Sequence, residues 1–436
     1  GYDYERLIRD LNKAPHKFPM LKWKIQRVPF GFNHPIWVQD LNFDISHHIK
    51  RIACPGAHDK RAFSNLISEL YAQPLDQSRP LWQIWVIEDL PDDQVAVVTL
   101  LHHAYADGAG ASILMQGLLS PDSEIEYKSS EQLGVNPYKN PSWLWTLTKG
   151  LIDLPIILGR HLPKLVSAVR KNRRLVAEYE ASGRPLPADP GKAPDSPLNI
   201  IHSPGRTFSY DVYELNEFKL TSKLFGASIN GLLVAVVAGA VRKFYLENGY
   251  NPVEPLVAII PINARNKAQE KEVLGNQIGS GNMYLPIHLE DPIERLEMVK
   301  DSARTMKEHR DIVGGKPLTL ALEILPSIIA KLSHRQLVKA KGQLKLLGNM
   351  GISNVKGPTE PMKIAGGQVG YWLSIGQITS GIGLNITAWS YVDTFSVCIM
   401  ADPKVIKDGP QFMNCIREVF EEYRGLHTKT SLDETA

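Results

Sequence analysis

Residues 95–110 read VAVVTLLHHAYADGAG, an apolar run that leads directly into two histidines and a glycine-bounded aspartate. Every position of Val95–Leu101 except the threonine is apolar, which predicts a central β-strand buried on both faces. The run Leu81–Glu88 predicts a second strand, joined to the first by a polar DLPDDQ turn. Ala111–Leu119, after the loop, predicts an apolar helix. Strand, loop and helix in this order favour an α/β fold with the two histidines at a strand end.

His103 is the candidate catalytic base of this loop. An imidazole at a strand end has a rigid support, titrates near neutral pH, and can remove the proton of a hydroxyl that attacks a carbonyl carbon. Asp107 follows four residues later in a turn that Gly108 and Gly110 complete, and its carboxylate can pair with a basic residue to fix the loop. His102 is expected to shape the end of the strand. His103, Asp107 and His102 are therefore the candidate catalytic residues.

A metal site and a purely structural role are the alternatives for the double histidine. A zinc site needs three or four ligands, and this loop supplies two or three without a second cluster nearby, so no metal site is predicted. The structural role stays open for His102 and His103. We expect that role for the second double histidine, His47-His48, because no Asp-Gly pair follows it.

The sequence lacks the motifs of two common kinds of active site. It contains no GxSxG nucleophile elbow, and Ser112 stands in no comparable setting. The glycine cluster Gly275–Asn282 lacks the Lys-Ser/Thr of a phosphate loop and does not match GxGxxG, so no nucleotide site is predicted. A histidine base without a nucleophile favours direct transfer, in which an acceptor hydroxyl attacks an activated acyl group and a leaving group such as a thiolate departs.

Length and composition indicate a globular protein of two domains, because 436 residues exceed the usual length of one. Apolar residues make up 43% and charged residues 22%, which excludes a disordered or fibrous chain. The 49 Lys and Arg against 46 Asp and Glu give a net charge of +3, too small to predict nucleic-acid binding. Three cysteines without CxxC spacing favour a reducing compartment. No apolar run reaches the roughly 20 residues of a membrane-spanning helix.

We predict an N-terminal domain over residues 1–120, a helical connector over 121–205 and a C-terminal domain over 206–436. The predicted helices outside the connector are Tyr4–Leu11, Lys60–Tyr71, Ala111–Leu119, Asn216–Gly226, Ser228–Gly249, Pro292–His309, Leu318–Lys341 and Gln411–Tyr423. The remaining predicted strands are Lys22–Phe30, Pro35–Asp40, Phe208–Leu215, Leu256–Pro261 and runs around Gly351, Ile364, Leu384 and Phe395. The similar texture of the two domains suggests two copies of one fold.

The connector combines apolar and basic features in one predicted helix. Its apolar faces carry Trp143, Trp145, Leu151, Ile156 and Ile157. A basic run, Arg170–Arg174, follows. Aromatic and aliphatic faces beside Lys and Arg are typical of a helix that lies in a membrane interface. The alternative is a clamp packed across both domains, since such a clamp has the same apolar stripe.

Six stretches together resemble one family. HHAYADG (102–108) matches the HHxxxDG motif of the CoA-dependent acyltransferase superfamily, and the surrounding stretches resemble the bacterial bifunctional wax ester synthase/diacylglycerol acyltransferase family. These stretches are PIWVQDLNFDISHHI (35–49), PLDQSRPLWQIWVIE (74–88), SINGLLVAVVAGAVRKF (228–244), IPINARNKAQEKEVLGNQIGSGNMYLP (260–286) and ISNVKGPTEPMKIAGGQV (352–369). They follow the family's order and cover most of the chain outside the connector, which makes the resemblance specific.

The resemblance implies an α/β layered fold of two chloramphenicol-acetyltransferase-like domains with an active-site tunnel between them. In that family His103 corresponds to the catalytic histidine, and Asp107 to an aspartate that supports the loop. Asn230 corresponds to the asparagine of an Asn-Asp pair, so Asn230 and Gly108 are candidate substrate-binding residues. Gly231 replaces the aspartate of that pair, and the family's PMH motif is not among these residues.

The resemblance also implies substrates, partners and location. Acyl-CoA would be the donor and a diacylglycerol or long-chain alcohol the acceptor, with no cofactor, for synthesis of triacylglycerol or wax ester. We expect a cytoplasmic protein associated peripherally with the inner membrane or lipid inclusions, and no nucleic-acid partner. An alternative function is a catalytically weak acyl-binding or lipid-droplet surface protein of the same fold. A related acyltransferase acting on an amine or a polyketide-like hydroxyl is a third.

Overall fold

The computed structural model describes residues 2–56, 59–119, 136–263, 265, 272–273, 275–314, 317–339 and 348–433. The helices in these ranges are α1 Tyr4–Lys17, α2 Lys60–Ala72, α3 Gly108–Leu119, α4 Trp143–Ser182, α5 Leu215–Leu224, α6 Ile229–Glu247, α7 Pro292–Val313, α8 Pro317–Ile324, α9 Ser327–Lys339 and α10 Gly409–Asp433. The strands are β1 Trp23–Gln26, β2 Ile36–Gln39, β3 Ile49–Ala53, β4 Trp82–Glu88, β5 Ala96–Leu101, β6 Thr207–Glu214, β7 Leu256–Asn263, β8 Ile278–Leu285, β9 Met350–Lys356, β10 Lys363–Ile364, β11 Gly367–Gln368, β12 Leu384–Tyr391 and β13 Thr394–Ala401.

The buried helix α6 is the centre of the C-terminal half. Ser228 caps it by accepting a hydrogen bond from the Gly231 N–H, and the apolar run Leu232–Val241 is almost without solvent exposure. A six-stranded sheet of order β6-β13-β12-β9-β7-β8 shares one apolar cluster with α6, and α7 and α10 pack against the helix. Length and composition alone would allow α6 to cross a bilayer, but most of it is buried in this core.

The N-terminal half is built on a smaller sheet. Its strands have the order β3-β4-β5, with β3 parallel and β5 antiparallel to β4. The β1-β2 hairpin and helices α1 and α3 contribute side chains to the apolar cluster on this sheet, where Leu7, Trp23, Ile84 and Leu114 are buried. The two halves therefore present sheets of unequal size within the described residues.

Polar contacts join the two halves away from the loop of residues 102–107, which we call the histidine loop. Asp211 on β6 pairs with Lys60 on α2 and with Arg417 on α10, each at 2.7 Å. The Phe208 N–H donates a hydrogen bond to the Ser68 hydroxyl at 2.9 Å. Because these partners come from both halves, the sheets are held in a defined relation around the loop.

The long helix α4 contacts both halves along one side. The Asn33 side chain donates to the Gly150 carbonyl at 2.9 Å, which ties the first part of α4 to the N-terminal half. The Tyr179 hydroxyl donates to Glu308 on α7 at 2.5 Å, which ties the last part to the C-terminal half. The contacts expected of a clamp are therefore present. The opposite side of the first part of α4 stays exposed and apolar.

One prediction about strand position is wrong. Within the described residues β5 pairs with β4 alone, so it is an edge strand and not the central one. It is half-buried along its whole length because its two faces meet different apolar clusters. Val97 and Leu101 pack on one cluster, and Ala96 and Val98 on the other. Apolar residues on both faces therefore indicated two packed faces, but not hydrogen-bonded neighbours on both edges.

Several further predicted elements have different bounds in the structure. The predicted helix Leu318–Lys341 is divided into α8 and α9, because Pro326 lacks the N–H that a continuous helix needs. The predicted strand Lys22–Phe30 is shorter in the structure: β1 ends at Gln26, and a 3₁₀ turn follows at Pro29–Gly31. The run around Ile364 forms only a two-residue hairpin strand. The start of the predicted connector, residues 121–135, lies outside the described residues, and the domain bounds stay a prediction.

Candidate active site

The histidine loop leaves β5 and is tied at once to neighbouring strands. The His102 N–H donates to the Leu81 carbonyl at 3.1 Å, and the Tyr105 N–H donates to the His102 carbonyl at 2.9 Å. The buried Tyr105 hydroxyl donates to the Trp23 carbonyl and accepts from the Leu81 N–H. The loop is therefore anchored to β1 and to the start of β4 before the chain enters α3.

Asp107 is the most heavily bonded residue of the loop. Its carboxylate oxygens lie 2.7 and 2.6 Å from Nη1 of Arg265, and both side chains are only 1% exposed. The same carboxylate accepts from the Gly110 N–H at 3.0 Å and from the Gln277 N–H at 2.8 Å. The predicted pairing of Asp107 with a basic residue is confirmed. Because Arg265 and Gln277 belong to the C-terminal half, the pair also joins the two halves.

Backbone contacts hold the two halves together at the same place. The Gly275 N–H donates to the Tyr105 carbonyl at 2.6 Å, and Gly275 has a φ of 94° that favours glycine. On the other side of the loop, a Cβ on Gly110 would lie 2.5 Å from the Val273 carbonyl oxygen. Glycine is thus required at position 110 for this close approach. Gly275, from the glycine cluster noted in the sequence, contacts the histidine loop.

His103 is half-buried beside this ion pair. Burial lowers the pKa of its imidazole, the charge of Asp107 acts in the opposite direction, and His102 lowers the pKa further. Its Nδ1 atom is buried and accepts no hydrogen bond from the described residues. A lowered pKa keeps the imidazole neutral at neutral pH, and a neutral imidazole has one nitrogen free to accept a proton.

The neighbouring and control histidines have different surroundings. His102 is exposed, and its Nδ1 accepts a hydrogen bond from the Ala104 N–H at 3.1 Å, so it supports the turn. His48 is buried, stacks on Trp82 with ring centroids 4.3 Å apart, and bonds the Trp82 carbonyl through Nδ1 at 2.8 Å. The structural role predicted for His48 is confirmed.

The two candidate substrate-binding residues lie in different elements. Gly108 begins α3, and a Cβ there would lie 3.5 Å from a methyl group of Val355 on β9, so the loop meets the large sheet. Asn230 lies half-buried in the first turn of α6. A Cβ on the neighbouring Gly231 would find only ordinary contacts with Ser228 and Ala227. The roles of Gly108 and Asn230 in substrate binding stay predictions.

Arg265 is the functional residue that the sequence analysis did not single out. It lies in the PINARN segment that already carried the family resemblance, so the signal was present in the motif. Its partner was not readable, because 158 positions separate it from Asp107 and the pairing depends on the tertiary fold. Within the described ranges no group of three His, Cys, Asp or Glu residues is placed to hold a metal ion.

Comparisons with known proteins match two family models to this chain, one to each half. A family model described as the wax ester synthase/diacylglycerol acyltransferase catalytic domain matches residues 1–233, and one described as the WS/DGAT C-terminal domain matches residues 274–424. A Mycobacterium tuberculosis protein named as a diacylglycerol O-acyltransferase is 34% identical over 426 residues, which cover 97% of this chain and 89% of that protein. A second one is 30% identical over 431 residues, with coverages of 97% and 88%.

Two solved structures resemble the fold. The wax ester synthase/diacylglycerol acyltransferase from Marinobacter aquaeolei VT8 has a TM-score of 0.62 at 18% identity and covers 97% of this chain and 90% of its own. The first condensation domain of the CDA synthetase has a TM-score of 0.56 at 15% identity, with coverages of 97% and 88%. These likenesses confirm the predicted α/β fold of two acyltransferase-like domains, and the histidine loop lies where the two halves meet.

Replacing Asp107 with Asn tests the support of the loop. The change removes the carboxylate charge that faces the buried Arg265 guanidinium, which should lower the free energy of unfolding by about 3–5 kcal/mol and reduce activity with it. Asp301→Asn is the control, because Asp301 pairs with Arg304 on the exposed side of α7 and should change stability by less than about 0.5 kcal/mol. Denaturant unfolding measures both. A fully stable but inactive Asp107→Asn protein would indicate a direct catalytic part for Asp107.

Proposed function

Because this chain belongs to the wax ester synthase/diacylglycerol acyltransferase family, we propose that it transfers a long-chain acyl group from CoA to the hydroxyl of a diacylglycerol or a long-chain alcohol. The chain is an acyltransferase. The products would be triacylglycerol or wax ester. Acyl-CoA enters this proposal as a substrate, and no cofactor takes part.

In the proposed reaction His103 acts as general base. Its neutral imidazole takes the proton of the acceptor hydroxyl while that oxygen attacks the thioester carbonyl carbon. The new carbon–oxygen bond forms, the carbon–sulfur bond breaks, and the protonated imidazole returns the proton to the CoA thiolate. Transfer is direct, without an acyl-enzyme. The lowered pKa of His103 supports this assignment, because a neutral base is needed before each turnover.

The observation that carries the proposal is the position of His103 on a loop clamped between the two halves. Asp107 is assigned to positioning: both its oxygens are occupied by Arg265 and by the N–H groups of Gly110 and Gln277, all of which hold the loop. His102 is assigned to the turn, because its Nδ1 accepts from the Ala104 N–H. The fixed loop would keep the His103 ring in one orientation for both substrates, which is how positioned groups contribute to rate.

The proposal includes a lipid surface as partner. The acceptor and product are nearly insoluble in water, so the enzyme must collect one and release the other at a membrane or lipid inclusion. The exposed first part of α4, with Trp143 and Trp145 in its first turn and Ile152 beyond, is proposed as one contact with that surface. The basic run Arg170–Arg174 would lie near anionic headgroups. Such binding gives a cytoplasmic protein peripheral attachment to the inner membrane or inclusions.

Thiol release from palmitoyl-CoA tests the function. With hexadecanol or diolein present the protein should release CoA and form ester, and His103→Ala should lose about 10²–10⁴-fold of the rate because the general base is removed. His102→Ala should lose less, and matched unfolding curves show that each variant is folded. Full activity of His103→Ala, or equal losses at both histidines, would contradict the assignment. A folded native protein that binds palmitoyl-CoA without transfer would favour the acyl-binding alternative.

The pH dependence of kcat/KM tests the state of His103. Burial lowers the pKa of His103, so the imidazole should stay neutral down to a pH below the ordinary histidine value of about 6.5. Over that range kcat/KM should not change. Below that point protonation removes the base and the rate should fall. Residual activity of His103→Ala should lack this acid limb. An acid limb centred above the ordinary value would contradict a buried, neutral base.

A further inference from the structure

The helix α9 is exposed over most of its described side chains. Its residues from Ile328 to Ser333 are all exposed, as are Arg335 and Gln336. Three of them are large and apolar: Ile328, Ile329 and Leu332, the last of which is 51% exposed. Their spacing places them on one face of the helix, because residues three and four apart lie together. An isolated helix of 13 residues is marginal in water, so an unpartnered apolar face on such a helix calls for an occupant.

A strained aromatic turn lies against the start of α9. Phe30 has a φ of 58°, a left-handed backbone that bulky residues rarely adopt, and its side chain is 69% exposed. Its ring lies 5.7 Å from the ring of Phe32. A Cβ on Gly31 would lie 3.0 Å from the Ile328 nitrogen, so turn and helix are in contact. Strain that presents an aromatic ring to solvent is typical of a functional contact.

The same turn touches α4. A Cβ on Gly150 would lie 2.7 Å from a methyl group of Val28, at the base of the turn, and the exposed Leu151 and Ile152 follow Gly150 directly. Ser327 at the start of α9 donates to the Asn33 carbonyl at 2.9 Å. The first part of α4, the turn Phe30–Phe32 and α9 are therefore neighbours, and we call their exposed apolar side chains together the α4–α9 face. Monomeric soluble proteins rarely expose large continuous apolar areas without a function.

The positive charge of this face indicates which kind of partner binds it. α9 contains three Lys or Arg and no Asp or Glu, and α4 contains seven Lys or Arg and three Asp or Glu. These two helices hold a larger excess of positive charge than the whole chain, whose net charge is +3. Lys331 and Arg335 are exposed one turn apart beside the apolar stripe of α9. Apolar residues flanked by cations fit the boundary between acyl chains and anionic headgroups.

We propose that α9 and the turn Phe30–Phe32 form a second lipid-docking element, which seats the protein on an anionic phospholipid surface beside α4. The inference rests on the proposed function, since it specifies the partner of that lipid-dependent reaction. Insertion of Ile329, Leu332 and Phe30 would place α9 in the plane of the headgroups. The basic residues then contact anionic phosphates.

The docking element is linked to the histidine loop through α8. The Thr319 hydroxyl on α8 donates to the Ile278 carbonyl at 3.3 Å, and Ile278 follows Gln277, whose N–H binds Asp107. Glu323 near the end of α8 lies 3.0 Å from His161 on α4, and its carbonyl bonds His34 beside the aromatic turn at 2.9 Å. A lipid surface bound to α9 would therefore be connected to the histidine loop through the contacts of α8.

Flotation with phospholipid vesicles tests the proposal. Vesicles of mixed phosphatidylcholine and phosphatidylglycerol are compared with vesicles of phosphatidylcholine alone, at low and high salt. Ile329→Ser/Leu332→Ser should weaken binding to the mixed vesicles at least about tenfold, because two inserted side chains become polar. Lys331→Gln/Arg335→Gln should weaken it roughly 25-fold at low salt only, since each cation contributes about fivefold near an anionic surface.

Two controls separate lipid contact from folding. Leu220→Ser/Leu246→Ser changes two leucines that are equally exposed but lie on α5 and α6, and it should bind vesicles as the native protein does. Phe30→Gly removes the ring and relieves the left-handed backbone, so its Tm should be equal or higher while vesicle binding falls. A loss of Tm in step with binding would indicate that the aromatic turn is structural, which contradicts its place in the docking element.

Further variants and assays distinguish a failure of this inference from a failure of the proposed function. Trp143→Ala/Trp145→Ala tests α4 alone: weaker binding there, with unchanged binding of the α9 variants, would overturn the inference and leave α4 as the contact. A native protein that dimerises through α9 in the absence of vesicles would overturn it in favour of an interface between copies. Thiol release with palmitoyl-CoA and detergent-dispersed hexadecanol, in the absence of vesicles, should be unchanged in the α9 variants. Absence of that reaction in the native protein would contradict the proposed function instead.

Discussion

The contact of both Asp107 carboxylate oxygens with Nη1 of Arg265 connects the two halves of the chain at the histidine loop. Both side chains are almost completely buried, so both charges have lost their hydration. The carboxylate is compensated by the guanidinium and by two backbone N–H groups. A buried pair of this kind contributes little net stability over an apolar pair, but it is costly to break on one side. Its effect is therefore positional, because Asp107 lies four residues after His103 and is bonded to Arg265 and Gln277 of the C-terminal half.

The motif and the alternation of apolar residues were enough to predict much of the architecture. The starts of the helices at Lys60, Ile229 and Pro292 were predicted to within one residue, because apolar spacing and caps such as Ser228 act locally. The edge position of β5 was not predictable, because its apolar faces are covered by clusters from distant parts of the chain. The break at Pro326 could have been predicted from the proline alone.

At the candidate active site, the residues of the histidine loop could be predicted from the sequence, but their distant partners could not. The candidate base, the supporting carboxylate and the need for glycines around it follow from residues 102–110. The partners Arg265, Gln277 and Gly275 come from a segment with no regular pattern, and their approach depends on how the two halves pack. Clamping and an exposed apolar surface also coexist in the connector helix. Small residues such as Gly150 allow α4 to pack on one side, while its larger apolar side chains remain exposed on the other.

A double-mutant cycle on Asp107→Asn and Arg265→Gln tests the central role of this pair most directly, with unfolding free energy and kcat/KM measured for all four proteins. The account predicts that the double variant is destabilised less than the sum of the single variants, with a coupling energy of about 0.5–3 kcal/mol, and that each variant loses transfer activity because the histidine loop is released. Additive effects on stability, or full activity in the double variant, would contradict the claim that this contact holds His103 in place.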